Sequence, residues 1–252
     1  MKLAIFGGTG YVGQALVRTA LDHGHDLRLL VRNPRKFDSS GSAVEVVAGD
    51  ALDIAAVRRT IAGCAAVLST LGGYHGTPSL DEGTASILTA MRASNIHRLV
   101  AMQGIHVPFP GDPNNLGKHI VSAFLTVRSP SLVRRSRALG FMLQGTHDID
   151  WTLIRVPRVV DGSPTQAAQT GSLRLGPSSS VTRGDVVALM LDALENRSLV
   201  HASPMVSSSP RRAARLSPRS SAPNRPAGQG PSGSMSHAAT SASRSPKDPA
   251  AA

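Results

Sequence analysis

The first thirteen residues, Met1-Lys-Leu-Ala-Ile-Phe-Gly-Gly-Thr-Gly-Tyr-Val-Gly13, constrain this chain more than any other stretch. Leu3 to Phe6 is a short apolar run that reads as a buried strand. Gly7, Gly8, Thr9 and Gly10 then form a tight turn. Val12, Leu16 and Ala20 recur at i, i+4 and i+8, which predicts a helix starting near Tyr11 with one buried face. Strand, glycine turn and helix together are the setting a dinucleotide fingerprint requires. In that setting Gly7 makes the sharp turn and Gly10 lets the backbone approach a pyrophosphate. Gly13 lets the helix pack close to the strand. The helix start then offers free N–H groups and a partial positive charge to the phosphates.

The spacing is G-x-x-G-x-x-G with the wording Gly-Gly-Thr-Gly. That pattern resembles the short-chain dehydrogenase/reductase superfamily, in particular its atypical NmrA-like and biliverdin-reductase-B/flavin-reductase-like branch. The resemblance implies an α/β fold: one Rossmann-like domain with a doubly wound parallel sheet. It also implies contacts between the turn residues Gly7 to Gly13 and the cofactor.

The end of the second strand, Asp26 to Val31, bears on cofactor choice. NAD-binding folds usually place an acidic residue there for the ribose 2′-OH. This chain has Arg32, followed by Asn33, Pro34, Arg35 and Lys36, with no carboxylate. An arginine at that point pairs with a 2′-phosphate in a bidentate way, so NADP(H) is expected over NAD(H). Val44 to Ala48 reads as a third strand, followed by Gly49-Asp50-Ala51. The resemblance carries adenine contacts onto Asp50 and Ala51, while Asp53 is expected to cap the next helix. Ala65 to Leu71 reads as the fourth strand. Ligands of open parallel sheets bind outside the strands' carboxyl ends, which places Thr70, Leu71 and Gly72 at the site.

Arg98 to Met102 is a fifth strand, ending in Gln103. The proline-rich stretch Ile105 to Leu116 is long for an α/β connection and reads as a substrate lid. A helical region broken near Ser129-Pro130 runs to Gly145. The strand Asp150-Trp-Thr-Leu-Ile-Arg-Val-Pro157 also resembles the NmrA-like branch, which implies backbone contacts from Arg155, Val156 and Pro157 to the nicotinamide half. Thr182-Arg-Gly-Asp185 has the form of a capping box opening a helix to about Glu195, and Leu199 to Ser203 reads as a last strand.

Standard members of the superfamily use a Tyr general acid with a Lys four residues later lowering its pKa. The two tyrosines here are Tyr11 and Tyr74; the positions four later hold Ala15 and Pro78. The standard alcohol dehydrogenase and epimerase mechanism is therefore excluded. The remaining polar candidates for a catalytic role are Gln103, which as the end of the fifth strand is also expected at the cofactor, Lys118 and His147, with His106 and His119 as further polar groups. Two functions fit. One is an NADPH-dependent reductase of a flavin-like or other delocalised acceptor, in which the cofactor supplies the chemistry and the protein the orientation. The other is an NmrA-like sensor that holds the dinucleotide without turnover.

The chain has 252 residues and a formal charge of +11. Ser203 to Ala252 carries six Arg and one Lys against one Asp, a net +6, which leaves +5 for residues 1–202. Those last fifty residues hold thirteen Ser, eight Pro and ten Ala, and are expected to lie outside the folded domain as a disordered tail. The tail is the sole hint of nucleic-acid binding, and no aromatic side chain is interleaved in it to stack on bases. No metal site is expected. The lone cysteine, Cys64, excludes an internal disulfide and reads as a small core residue. No signal peptide or membrane span is visible, so a cytoplasmic location is expected. The resemblance implies a monomer or weak oligomer with a small-molecule acceptor as partner.

Overall fold

The computed structural model describes residues 1–36, 44–72, 80–114, 116–165 and 168–208, apart from the side chains of Lys36 and Lys118. The last residues, 209–252, and with them most of the stretch expected as a disordered tail from Ser203, lie outside the described residues, as does Tyr74; residues 203–208 are described and include the strand Met205–Ser207.

Six strands alternate with helices in the first two thirds of the chain: β1 (Lys2–Phe6), β2 (Asp26–Val31), β3 (Val44–Ala48), β4 (Ala66–Ser69), β5 (Arg98–Gly104) and β6 (Asp150–Val156). They pair in parallel in the order β3-β2-β1-β4-β5-β6. This is a doubly wound α/β sheet, reversing direction between β1 and β4. Strands covered on both faces must be continuously apolar, and Leu3, Ala4, Ile5 and Phe6 are accordingly all fully buried.

The helices α1 (Tyr11–Asp22) and α6 (Arg183–Glu195) cover one face. On the other lie α2 (Ile54–Ile61), α3 (Glu82–Ala93) and α5 (Pro130–Gln144), while α4 (Leu116–Arg128) packs on α5. The expected periodicity of α1 is what packs: Val12, Leu16 and Ala20 are buried against β1 and β2. The Asp53 carboxylate caps α2, accepting from the N–H groups of Ala55 (2.9 Å) and Ala56 (3.2 Å). Pro130 takes the first position of α5, where its missing N–H costs nothing.

Two local expectations are corrected. The last strand of the parallel set is not Leu199 to Ser203; Ala202 makes a single bridge to Thr152, and the strand is β10 (Met205–Ser207), beside β6. The sheet thus runs past Ala202, because Val206 is needed to close the core under α6. The strand β8 (Gln169–Gly171) then adds an antiparallel edge to β10, and β7 (Arg158–Val160) pairs with β9 (Ser180–Thr182) in a separate two-stranded sheet.

The capping box is half formed. Thr182 Oγ1 accepts from the Asp185 N–H (3.1 Å), but Asp185 does not return the bond. Its buried carboxylate instead accepts from the Thr165 N–H (2.6 Å), the Thr165 hydroxyl (2.8 Å) and the Ser208 hydroxyl. Burial alone would raise the pKa of Asp185. The hydrogen bonds from Ser208, Thr165 and Thr182 outweigh it and hold the carboxyl below the usual range.

At the amino end of β6, Asp148 accepts from Arg92 Nε (2.6 Å) and Nη2 (2.9 Å), tying the end of α3 to the turn before the strand. The Arg92 guanidinium lowers the Asp148 carboxyl from 3.8 to about 2. Because the folded value is the depressed one, this contribution to stability is complete above about pH 4 and is lost as pH falls through about 2. A carbon-detected NMR titration should place the Asp148 midpoint near 2. In Arg92→Leu it should return to the ordinary carboxylate range, and an unchanged midpoint would show that Arg92 is not its cause.

Candidate functional site

The sheet reverses between β1 and β4, and the two loops leaving their carboxyl ends separate there to leave a crevice. Gly7 makes the turn out of β1 in the left-handed region, with φ of +81°. The Gly7 carbonyl accepts from the Gly10 N–H (2.9 Å) and from the Thr70 hydroxyl (3.1 Å), so the turn is fastened to the end of β4. Gln14 Nε2 donates to the Thr9 carbonyl (3.1 Å) and stiffens the same turn.

Gly10 is the N-cap of α1, with no side-chain cap and no acidic residue in the first turn. The first intrahelical bond is that of the Gln14 N–H to the Gly10 carbonyl (2.9 Å), so the N–H groups before it face outward at the positive end of the helix dipole. A Cβ on Gly13 would lie 2.0 Å from the Gly7 carbonyl oxygen. The helix thus packs against the turn at a distance that only glycine permits.

From this cradle a cleft of about 840 Å³ runs across the sheet. Gly10, Tyr11, Val12 and Gly13 form one rim, and Thr70, Leu71 and Gly72 form the other. Gln103, Val156 and Pro157 lie at the middle. The far half is apolar, with Ile120, Val121, Phe124 and Leu125 of α4 facing Ile105 and Val159.

Gln103 is 7% exposed. Its Oε1 accepts from the Gly104 N–H (2.9 Å), which fixes the amide's orientation, because a backbone donor must face the oxygen. Nε2 is left buried with no hydrogen-bond partner among the described residues. His106, also in the wall and 8% exposed, is bonded through Nε2 to the Ser136 hydroxyl (3.0 Å). The described wall holds no Asp, Glu or Lys.

The Tyr11 ring lies under the Arg183 guanidinium at 4.7 Å, and Arg183 pairs with Asp161 (2.9 Å). Partial burial, then the hydrogen bond to Asp161 and its charge, push the Tyr11 phenol above its ordinary range. An acid catalyst needs the opposite shift.

The other predicted residues are divided between this crevice and elsewhere. Gly7, Gly8 and Thr9 shape the turn beneath the rim. Arg32 follows β2, the neighbour of β1, and is exposed. Asp50 Oδ1 accepts from the Leu52 N–H (2.9 Å) and Ala51 is buried; both follow β3, two strands from the turn and outside the cleft wall.

Two of the predicted residues have side chains outside the cleft wall, although for Arg155 only backbone contacts were expected. The Arg155 side chain is not in the cleft wall. Successive residues of a strand point to opposite faces, so when Val156 faces the cleft Arg155 turns away. Its guanidinium is bidentate to Asp112 (both 2.7 Å) and also donates to the carbonyls of Val107 (3.0 Å) and Ser203 (2.7 Å). The proline-rich loop is thereby fastened to the sheet, and the apolar cover of the cleft is α4 instead. His147 is likewise absent from the crevice. It precedes the amino end of β6, and lines a second cleft with Trp151 and His201. His119 bonds to Asn114 Oδ1 (3.2 Å) and is not in the wall; Lys118 lies in the first turn of α4, its side chain outside the described residues.

The sequence reading missed the wall supplied by α4. The signal was present, since Ile120, Val121, Phe124 and Leu125 share the i, i+4 pattern of one helical face. It also missed Arg183, which is 172 residues from Tyr11.

Comparison with known proteins agrees with this geometry. The sequence profile of an NAD(P)H-binding family matches residues 7–197, from the glycine turn to the end of α6. The chain belongs to this NAD(P)H-binding family. The glycine turn, the exposed N–H groups of α1 and the crevice between β1 and β4 are what a dinucleotide pyrophosphate needs. The resemblance to Rossmann-fold short-chain dehydrogenases/reductases is thus borne out at the level of fold and cofactor.

ChuY, an anaerobillin reductase from Escherichia coli O157:H7, shares the fold with a TM-score of 0.69 at 18% identity, over 82% of this chain and 96% of its own. A wide-type short-chain dehydrogenase/reductase from Veillonella parvula in complex with NADP gives 0.66 at 17% identity, over 82% and 94%. Rv2047c, an uncharacterized protein of Mycobacterium tuberculosis, is 29% identical over 110 residues, which is 43% of this chain and 12% of that protein. The chain therefore spans a small part of the length of the curated relatives it matches. Among the described residues of this family member, no group of three or more His, Cys, Asp or Glu is arranged to hold a metal ion.

Proposed function

We propose that the chain is a cytoplasmic NADPH-dependent reductase that acts on a flavin-like or other delocalised small acceptor, as a monomer or weak oligomer. The cleft carries this reading: a glycine cradle at one end, an apolar chamber under α4 at the other, and no acid–base pair in the described wall between them. When bound, the dinucleotide supplies the hydride. The chain binds the pyrophosphate at the start of α1, and Val156 and Pro157 flank the nicotinamide half. The apolar residues of α4 line the acceptor side, which stays open to solvent at its rim.

Gln103 brings an amide to the middle of the cleft, its Nε2 buried and without a hydrogen-bond partner among the described residues. An amide donates a hydrogen bond but does not surrender a proton. A simple ketone needs a proton for its alkoxide, whereas a delocalised acceptor spreads the charge and takes its proton from water. The buried, single Cys64, with its thiol pushed up by burial, fits a reducing compartment.

Preference for NADPH rests on Arg32. A charge-assisted bidentate bond to a 2′-phosphate is worth about 1.5–3 kcal/mol. Arg32→Ala should therefore weaken NADPH binding by roughly 10- to 100-fold and leave NADH binding unchanged. Equal affinities before and after the substitution would remove Arg32 from the site.

The activity itself is tested by following NADPH oxidation by absorbance against flavins, quinones and tetrapyrroles, with NADH in parallel. Steady turnover that prefers NADPH supports the reductase. The second reading, a non-catalytic dinucleotide sensor, is favoured by the raised Tyr11 phenol and by a described wall without Asp, Glu or Lys. It predicts no turnover but thermal stabilisation by NADP(H), and absence of both would reject the two readings together.

A further inference from the structure

Among the described residues, one side of α4 has no partner. Leu116 is 75% exposed, Ile120 51%, Phe124 65% and Val127 86%. At about 100° per residue these four fall within an arc of roughly 80°, one continuous apolar stripe along the helix. Ile120 and Phe124 also belong to the cleft wall, so the stripe runs from solvent into the cleft.

The α4–α5 hairpin that carries the stripe is cationic. Between Pro113 and His147 the sequence holds five cations, Lys118, Arg128, Arg134, Arg135 and Arg137, and no Asp or Glu. Arg135 is occupied by Asp81 and Glu82. Arg128, Arg134 and Arg137 are exposed and make no ion pair among the described residues. On α5, Arg134 and Arg137 share their outward face with Phe141, which is 69% exposed.

An apolar stripe on a helical hairpin that carries exposed, unpaired arginines is the pattern of an element that lies in a membrane interface. Among the described residues no helix is long and apolar enough to cross a membrane, so α4 would lie on the bilayer, not span it. A second copy of the chain is a poor occupant, because a two-fold contact through this face would set two acid-free cationic hairpins against each other.

We infer that the α4–α5 hairpin docks on an anionic lipid bilayer. The α4 stripe is buried among the acyl chains and the arginines meet the headgroups, so that the apolar half of the cleft opens toward the membrane. This does not depend on turnover, and it can be tested on the full chain without any acceptor.

The test is co-sedimentation with vesicles containing about 30% phosphatidylglycerol, compared with pure phosphatidylcholine. The expected result is at least about tenfold more binding to the anionic vesicles, largely reversed by about 0.5 M salt. Leu116→Glu/Val127→Glu changes two exposed residues outside the cleft wall and should lower binding about tenfold without altering the melting temperature. Arg134→Ser/Arg137→Ser should reduce the preference for anionic lipid and provides a second route if the first variant is unstable.

No preference of the wild type for anionic vesicles overturns the proposal. So does full binding by both variants, which would assign the attraction to the basic tail. Concentration-dependent dimerisation in sedimentation velocity, lost in Leu116→Glu/Val127→Glu and without vesicle binding, would assign the stripe to a second copy.

Discussion

Gly13→Ala is expected to cost about 3 kcal/mol or more in stability and to abolish stabilisation by NADP(H). The added Cβ would stand 2.0 Å from the Gly7 carbonyl oxygen and 2.8 Å from the Gly7 carbonyl carbon and the Gly8 Cα. These are backbone atoms, so no rotamer change relieves the contact. Either α1 moves away from β1 or the turn opens. Moving α1 uncovers Val12, Leu16 and Ala20, which are buried in the face shared with α6. Opening the turn misplaces the outward N–H groups that face the pyrophosphate.

Thermal melts with and without NADPH separate the two results. A domain of this size loses about 2–4 °C per kcal/mol, so the apo melting temperature should fall by roughly 6–12 °C. The control is Gly24→Ala. Gly24 also has a positive φ, +74°, but nothing lies within 4 Å of its Cβ position. That substitution should cost only the backbone strain, about 1–2 kcal/mol, and leave the response to NADPH intact. If Gly13→Ala kept that response, the close approach of helix and turn would not be what forms the site.

Arg155→Met is expected to destabilise the fold by about 3–5 kcal/mol. The Arg155 side chain is 3% exposed and that of Asp112 13%. The pair is bidentate, its guanidinium also satisfies the Val107 and Ser203 carbonyls, and it stacks on the Phe109 ring at 5.1 Å. Removing the cation leaves a carboxylate in a nearly dry site, and this uncompensated charge is the larger part of the cost.

Two further measurements check the account. The double variant Arg155→Met/Asp112→Leu should recover a substantial part of the lost stability, since no charge is left stranded. Protease cleavage within residues 105–115 should accelerate in the single variant, because Arg155 fastens this loop to β6 through Val107 and to the segment before β10 through Ser203. A single variant as stable as wild type would mean that the loop is held by its other contacts.

Much of this molecule is written in short stretches of its sequence. The turn at Gly7 to Gly10, the α1 face of Val12, Leu16 and Ala20, the Asp53 cap and the break before Pro130 each depend on residues a few positions apart. Backbone freedom, helical period, capping and the missing proline N–H act at that range. The order of those elements sufficed for the doubly wound fold and for the crevice beside the glycine turn. The misplacement of His147 was avoidable as well. It precedes the amino end of β6, and seven residues of strand at about 3.3 Å each put it roughly 20 Å from the carboxyl end, where ligands bind.

Other features arise from residues that meet only after the chain has folded. Arg155 and Asp112 are 43 positions apart, and Asp185 and Ser208 are 23 apart. The local reading gave Arg155 a backbone contact to the cofactor and Asp185 a capping box. In each case a buried charge took the partners that tertiary packing supplied, because leaving it unpaired costs more than a local cap or contact returns. The sequence by itself determined the strand–turn–helix start, the alternation of elements and the absence of a Tyr-x-x-x-Lys pair. Only the tertiary structure decided that α4 walls the cleft, that the Gln103 Nε2 is left buried and unpaired among the described residues, and that the Arg155 side chain serves the loop. Those outcomes depend on which faces of distant elements are left uncovered once the core has closed.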